Sequence, residues 1–254
     1  MKKILSIMTA LALLCACSLG SKSVKKITTN VSYVFVAVDE SYKSLKVTTS
    51  PDSDGSLTYT SKDKSIATVS SKGVIKGISQ GKTSITITSK DNKDVSSTVK
   101  VYSYPLKVST TNPYKVAWKW TAAYRINDFA ADKTSKSASA IRDAIIQAGF
   151  DYLGAGYSQA ARFGPTYDCS SLIYTLYHKA YGINVGTYTG AIQTVLASYK
   201  EDFADRKVGD IIFGTDGTAN HVGIYLGNNR MLHCADSLGG CSISSIYYGP
   251  FSTK

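Results

Sequence analysis

Histidine is scarce in this sequence: His178, His221 and His233 are the only three among 254 residues. None has acidic or thiol partners at ligand spacing, so the chain falls short of a metal site. Long repeats and low-complexity tracts are missing too. The longest apolar run, ILSIMTALALLCA at 4–16, is too short to span a bilayer comfortably. Acidic residues are in deficit, 18 against 29 Lys and Arg, giving a formal net charge of +11. A basic balance of this kind suits nucleic acid, anionic headgroups or wall polymers, or plain solubility. Here the lysines are scattered, and the N-terminal Lys2-Lys3 before that apolar run reads as an export signal, which together argue against nucleic acid.

What is there begins at the N-terminus. Lys2 and Lys3 precede the apolar run, the layout of a secretory signal. The run closes on Leu14-Cys15-Ala16-Cys17 and resembles the bacterial lipobox, in which a small residue precedes the acylated cysteine. The resemblance implies a leader over 1–17, a lipid anchor at Cys17 and a location on the extracytoplasmic face of a bacterial membrane. Plain secretion with cleavage nearby is the alternative. Each buried CH₂ of an acyl chain contributes about 0.8 kcal/mol to membrane binding. Of five cysteines, Cys15 would leave with the leader and Cys17 be acylated. Cys169, Cys234 and Cys241 remain, an odd number that flags one free thiol. Cys234 and Cys241 are close enough to bridge a loop, and both the paired and the free state stay open.

Residues 18–26 read as a polar tether. Over 27–102, short alternating runs such as VSYVFVAV, IATVS and TSITITS, broken by PDSDG and SKDNKD, indicate a small β-sandwich. The stretch LTYTSKDKSIATVSSKGVIKGISQGKTSITIT, with Gly73, Gly77 and Gly81, resembles the bacterial immunoglobulin-like repeat of surface proteins. Residues 103–136 fit neither pattern and read as a linker. Its Trp118, Trp120 and Tyr124 would pack against the next domain or, alternatively, line a sugar-binding surface. From 137 the texture changes. A helix starts at Ser137 or Ser139 and ends at Gly149, a second follows Asp168, and a third spans about 189–200. Strands DIIFG, HVGIYLG, MLHCAD and SISSIYY come after, so 137–254 reads as an α+β domain.

Cys169 opens the second helix, with Asp168 able to cap it and Gly182 past its end. The positive end of the helix dipole is expected to lower the thiol pKa. His178 lies nine residues on, the opposite helix face at about 100° per residue, and reads as a surface residue. His221 and His233 flank a hairpin turn around Gly227-Asn228-Asn229. With a three-residue loop, or a bulge, the two histidines share a face as diagonal neighbours about 7–8 Å apart. A strict two-residue loop puts them on opposite faces. On one face, one histidine can take the thiol proton while the other orients it.

YDCSSLIYTLY, VGDIIFG and HVGIYLGNNRMLH, in this order, closely resemble the NlpC-type cell-wall peptidases, a papain-like cysteine peptidase family. The resemblance covers 137–254 and implies an α+β papain-like domain with an antiparallel sheet. The chain as a whole would be an all-β immunoglobulin-like sandwich followed by that domain. It implies Cys169 as nucleophile, His221 as general base and His233 as the residue that orients it. Tyr157 matches the tyrosine that helps bind the oxyanion, and Asp168 and Ser170 match positions that contact the free amine of the substrate. For Tyr157 a packed aromatic, and for Asp168 a purely capping role, are the structural alternatives. Where the family carries glycine after Asp-Cys-Ser, this chain has Ser171. The implied activity is hydrolysis of peptidoglycan stem peptides, commonly between γ-D-glutamate and the diamino acid, without metal or cofactor. A non-catalytic wall-binding or adhesion protein, and an amidase or acyltransferase on the same scaffold, are the rivals.

Overall fold

A computed structural model describes residues 23–51, 57–107, 119–159, 163–215 and 220–246. The leader, Cys17 and Trp118 lie outside the described residues. The N-terminal part runs β1 (Lys26–Thr29), β2 (Tyr33–Ala37), β3 (Ser41–Tyr42), β4 (Val47–Ser50), β5 (Leu57–Ser61), β6 (Ala67–Val69), β7 (Ile75–Gly77), β8 (Gly81–Ser89) and β9 (Ser96–Tyr104). Alternation in β8 sends Ile85 and Ile87 to one face, fully buried, with Thr86 between them on the other. Ile85 sits opposite Val99 of β9. Sheet β2-β9-β8-β5 packs on sheet β3-β7-β6 through a core that includes Val34, Val36, Ile75 and Val101. Each such side chain contributes about 1.5–3 kcal/mol on burial. Gly77 is required for close approach, since a Cβ there would lie 2.5 Å from the carbonyl oxygen of Ala37. This is the β-sandwich expected from the alternation, in keeping with the immunoglobulin-like fold that the resemblance implied.

The C-terminal part runs β10 (Leu106–Lys107), β11 (Lys119–Tyr124), α1 (Ile126–Ala131), α2 (Ala138–Gly149), α3 (Cys169–Tyr181), α4 (Thr189–Val195), β12 (Lys200–Glu201), β13 (Ile211–Thr215), β14 (Asn220–Gly227), β15 (Arg230–Ala235) and β16 (Gly240–Ser245). Its strands form one sheet in the order β10-β16-β15-β14-β13-β11-β12. Neighbours are antiparallel except for the edge pair β10–β16, which is parallel. Ser137 caps α2, its Oγ accepting from the Ala140 N–H at 3.3 Å. The helices cover one face: Ile141, Ile145, Leu172 and Leu176 meet Val222, Ile224 and Leu232. The other face carries a smaller cluster of Ala123, Ile212, Tyr225, Met231 and Ile246.

The linker expected over 103–136 is corrected by this topology. Ser103 and Tyr104 finish β9, β11 is an interior strand between β13 and β12, and α1 lies against α2. The domain therefore begins well before residue 137. The strand escapes a pattern search because it is built on small residues, Ala122 and Ala123, and because its ladder with β13 is broken by an irregularity between Trp120 and Ala122. Its aromatics pack, as the linker reading preferred. Trp120 stacks on Phe203 and donates from Nε1 to the Ile246 carbonyl at 3.1 Å, and buried Tyr124 meets Phe213 edge-on.

The sandwich rests on α2 and the turn after it. Phe35 and Tyr102 place their rings 5.9 and 5.1 Å from that of Phe150. Tyr33 Oη donates to Asp143 at 2.8 Å, and Tyr102 Oη to Gln147 at 2.8 Å. Lys82 pairs with Asp151, and Arg230 of the histidine-bearing hairpin pairs with Glu40. Apolar ring contacts and charge pairs thus fix the two domains against each other.

Candidate active site

The start of α3 is built by Asp168. Its Oδ1 accepts from the Ser171 N–H at 2.7 Å, and the Ser171 Oγ accepts from the Asp168 N–H at 2.8 Å. Two backbone donors that the helix cannot satisfy are satisfied reciprocally, a capping box. Ser171, the departure from the family glycine, is therefore the second half of the cap. Ser170 Oγ donates to the same Asp168 oxygen at 2.9 Å. The helix ends on Gly182 at φ 67, the left-handed conformation in which glycine has no Cβ penalty. His178 is exposed and stacks on Tyr174, away from the histidine pair, as its helical position required.

The segment 154–158 straps the neighbourhood of Cys169 together. At one end Gly154 and Ala155 exchange backbone hydrogen bonds with Cys241 of β16; at the other, residues 156–158 pair with Tyr167. Tyr157 is thereby set beside the Tyr167-Asp168-Cys169 turn. Burial and the nearby Cys169 and Asp168 push its phenol up to about 12. It stays a hydrogen-bond donor at neutral pH.

The hairpin answers the face question with a bulge. Gly227 pairs with Arg230, leaving a two-residue turn in which Asn228 and Asn229 have φ 49 and 56. Positive φ at both central positions is the primed turn that suits strand twist. By itself that turn would put His221 and His233 on opposite faces. Between Tyr225 and Gly227 the register shifts, and Ile224 pairs with Leu232. Leu226 is the extra residue, and parity is restored. His221 and His233 then share a face, with Nε2 of His221 2.8 Å from Nδ1 of His233. Nε2 of His233 in turn lies 2.7 Å from Ser244 Oγ on β16. All three residues are buried.

The sequence reading did not find Ser244. Its signal is parity: Ser242 lies opposite His233, so Ser244 is the diagonal neighbour on the same face.

Cys169 meets this hairpin where α3 packs on β14 and β15. It lies against the core that contains Val222, the residue after His221. Cys169 is half-buried, yet loss of water around the sulfur pushes the thiol up to about 12, with Asp168 adding to the rise and the Val222 and Ser170 N–H groups opposing it. The lowering expected from the helix dipole is thus outweighed by desolvation. Burial lowers His221 to about 4 and His233 well below the ordinary histidine range. At neutral pH the resting site holds a thiol and two neutral imidazoles. With Nε2 of His221 engaged by His233, a proton drawn from the thiol would go to Nδ1. Such an arrangement suits nucleophilic attack assisted by a general base.

Residues 150–254 match the model of the NlpC/P60 family, and residues 23–99 match that of the bacterial Ig-like domain (group 2). The probable endopeptidase NlpC homolog of Haemophilus influenzae is 29% identical over 48% of this chain and 64% of its own length. The gamma-D-glutamyl-L-lysine dipeptidyl-peptidase of Bacillus subtilis is 33% identical over 35% of this chain and 30% of its own length. The chain thus spans less than two thirds of these relatives. Among solved structures, the peptidoglycan hydrolase RipB of Mycobacterium tuberculosis aligns at 25% identity and TM-score 0.40, over 46% of this chain and 63% of that one.

Proposed function

From a chain in which an NlpC/P60 domain follows a bacterial Ig-like domain, we propose a peptidoglycan hydrolase that cuts stem peptides through Cys169. The observation that carries this reading is the His221–His233 contact of 2.8 Å on the hairpin against which α3, headed by Cys169, packs. In the proposed reaction Cys169 attacks the scissile carbonyl as its proton passes to Nδ1 of His221. The tetrahedral oxyanion takes hydrogen bonds from the Tyr157 hydroxyl and the Cys169 N–H at the helix start. Collapse breaks the amide bond, and the imidazolium gives its proton to the leaving amine. Water, deprotonated by the same imidazole, then hydrolyses the thioester and restores the thiol.

The bond we propose is the one after γ-D-glutamate. Supporting it are the family resemblance and the substrate named for the Bacillus relative. Asp168 and Ser170, beside the sulfur at the helix start, would receive the free amine of the peptide. Export and attachment through an acylated Cys17 complete the proposal, on the strength of the Lys2-Lys3 start and the LCAC closure. Incorporation of labelled fatty acid into the parent chain and not into Cys17→Ser is the check on the anchor.

The deciding experiment is mass spectrometry of purified peptidoglycan digested by the chain beside its Cys169→Ala variant. New fragments ending in γ-glutamate, absent with the variant, are expected. Fragments from another bond would refute the specificity and keep the nucleophile. An intact wall that still sediments with the protein would refute hydrolysis.

A further inference from the structure

Two cysteines outside the reaction face each other. Cys234 on β15 and Cys241 on β16 are direct cross-strand partners. They are 0% and 3% exposed, and both are thiols here. The Cys241 N–H donates to the Ala155 carbonyl at 2.8 Å, and the Cys241 carbonyl accepts from the Gly154 N–H at 2.9 Å. A strand residue turns both backbone groups to one side, so those of Cys241 point away from β15. The Cys234–Cys241 pair is therefore a non-hydrogen-bonded one. Pairs of this kind hold their Cα atoms about 4.5 Å apart, within the roughly 4.4–6.8 Å that a disulfide bridges.

We infer that Cys234 and Cys241 form a cross-strand disulfide when the chain meets a small-molecule disulfide. One protein thiolate attacks the S–S bond of the oxidant and releases a small thiol. The second protein sulfur then attacks the mixed disulfide and releases the other. The protein loses two hydrogens, and the oxidant becomes two thiols. Because both sulfurs are covered, exchange proceeds during folding or when the turn over 236–240 opens, and the finished bond is shielded. It ties the strand of His233 to the strand of Ser244. It ends the hydrogen bond that the Cys234 S–H makes to the Tyr167 carbonyl at 3.2 Å. Among the described residues, Cys169 is then the sole thiol. The inference holds whether or not Cys169 is a nucleophile.

The test is to refold the reduced chain in oxidised glutathione, alkylate it under denaturing conditions and digest it with trypsin. No Lys or Arg separates residues 231 and 254, so both cysteines fall in one peptide. That peptide is expected unalkylated and two hydrogens lighter, while Cys169 is alkylated or carries glutathione. The thermal midpoint of the oxidised chain should rise by several degrees over the reduced one, a difference lost in Cys241→Ala. Two alkylated cysteines in 231–254 after oxidation, or either of them bonded to Cys169, would overturn the inference. The peptide masses decide it even if the variant fails to fold.

Discussion

Nε2 of His221 faces Nδ1 of His233 at 2.8 Å, and this contact fixes the direction in which protons are held through the site. For Nδ1 of His221 to receive the thiol proton, its Nε2 must carry hydrogen and donate to His233. His233 then holds its own proton on Nε2 and donates to Ser244 Oγ, 2.7 Å away. In the proposed reaction His233 would be an acceptor that orients His221, and Ser244 would fix the tautomer that makes it one.

Replacing His233 separates orientation from charge. His233→Ala is expected to lower kcat/KM by about 10²–10⁴, the range assigned to positioned acid–base groups. His233→Asn should keep more activity, because its amide oxygen can accept the same Nε2–H. Steady-state rates on a purified stem peptide check this ordering. Equal losses in both variants would contradict it.

Ser244→Ala leaves the His233 Nε2–H buried without its acceptor, at a cost of about 1–3 kcal/mol. The expected outcome is a kcat reduced about tenfold with KM nearly unchanged, since the tautomer and not substrate binding is disturbed. Ser244→Thr, which retains the hydroxyl, should restore most of the rate. A variant that loses stability but keeps kcat would assign Ser244 a packing role alone.

Both site histidines have lowered pKa values, His221 to about 4, through burial. They are neutral in the fold and take up protons near 6.5 when unfolded. The stability this gives is fully present above pH 6.5 and is lost as pH falls toward 4. Thermal midpoints should drop across that window, less steeply for His233→Asn. The acid limb of kcat/KM should likewise fall near pH 4. A limb at 6.5 or above would mean the base is not desolvated as described.

Ser171→Gly would restore the residue usual in the family and remove the Oγ that accepts from the Asp168 N–H. Loss of half the capping box together with a glycine inside the helix should lower unfolding free energy by about 1–2 kcal/mol. Urea denaturation measures it. An unchanged midpoint would show that the cap contributes nothing net.

Much of this was legible because it is local. Strand alternation in β8 and the Asp168–Gly182 frame of α3 are set by neighbouring residues, so the sandwich and the helix headed by Cys169 follow from pattern alone. The linker misread over 119–131 marks the opposite case. Β11 is held by β13 and β12, distant in sequence, and its alanines carry little signal of their own.

The amino-acid sequence by itself determined which groups the proposed chemistry draws on: one thiol at a helix start and two histidines on one hairpin. Whether those histidines meet depended on one extra residue, Leu226, because side-chain direction alternates along a strand and a single bulge reverses it. The thiol's protonation was likewise decided in three dimensions. A helix terminus favours the thiolate locally, but the water excluded by packing around the sulfur favours the thiol more strongly. Solvent exclusion is a property of the assembled domain, and no stretch of sequence contains it.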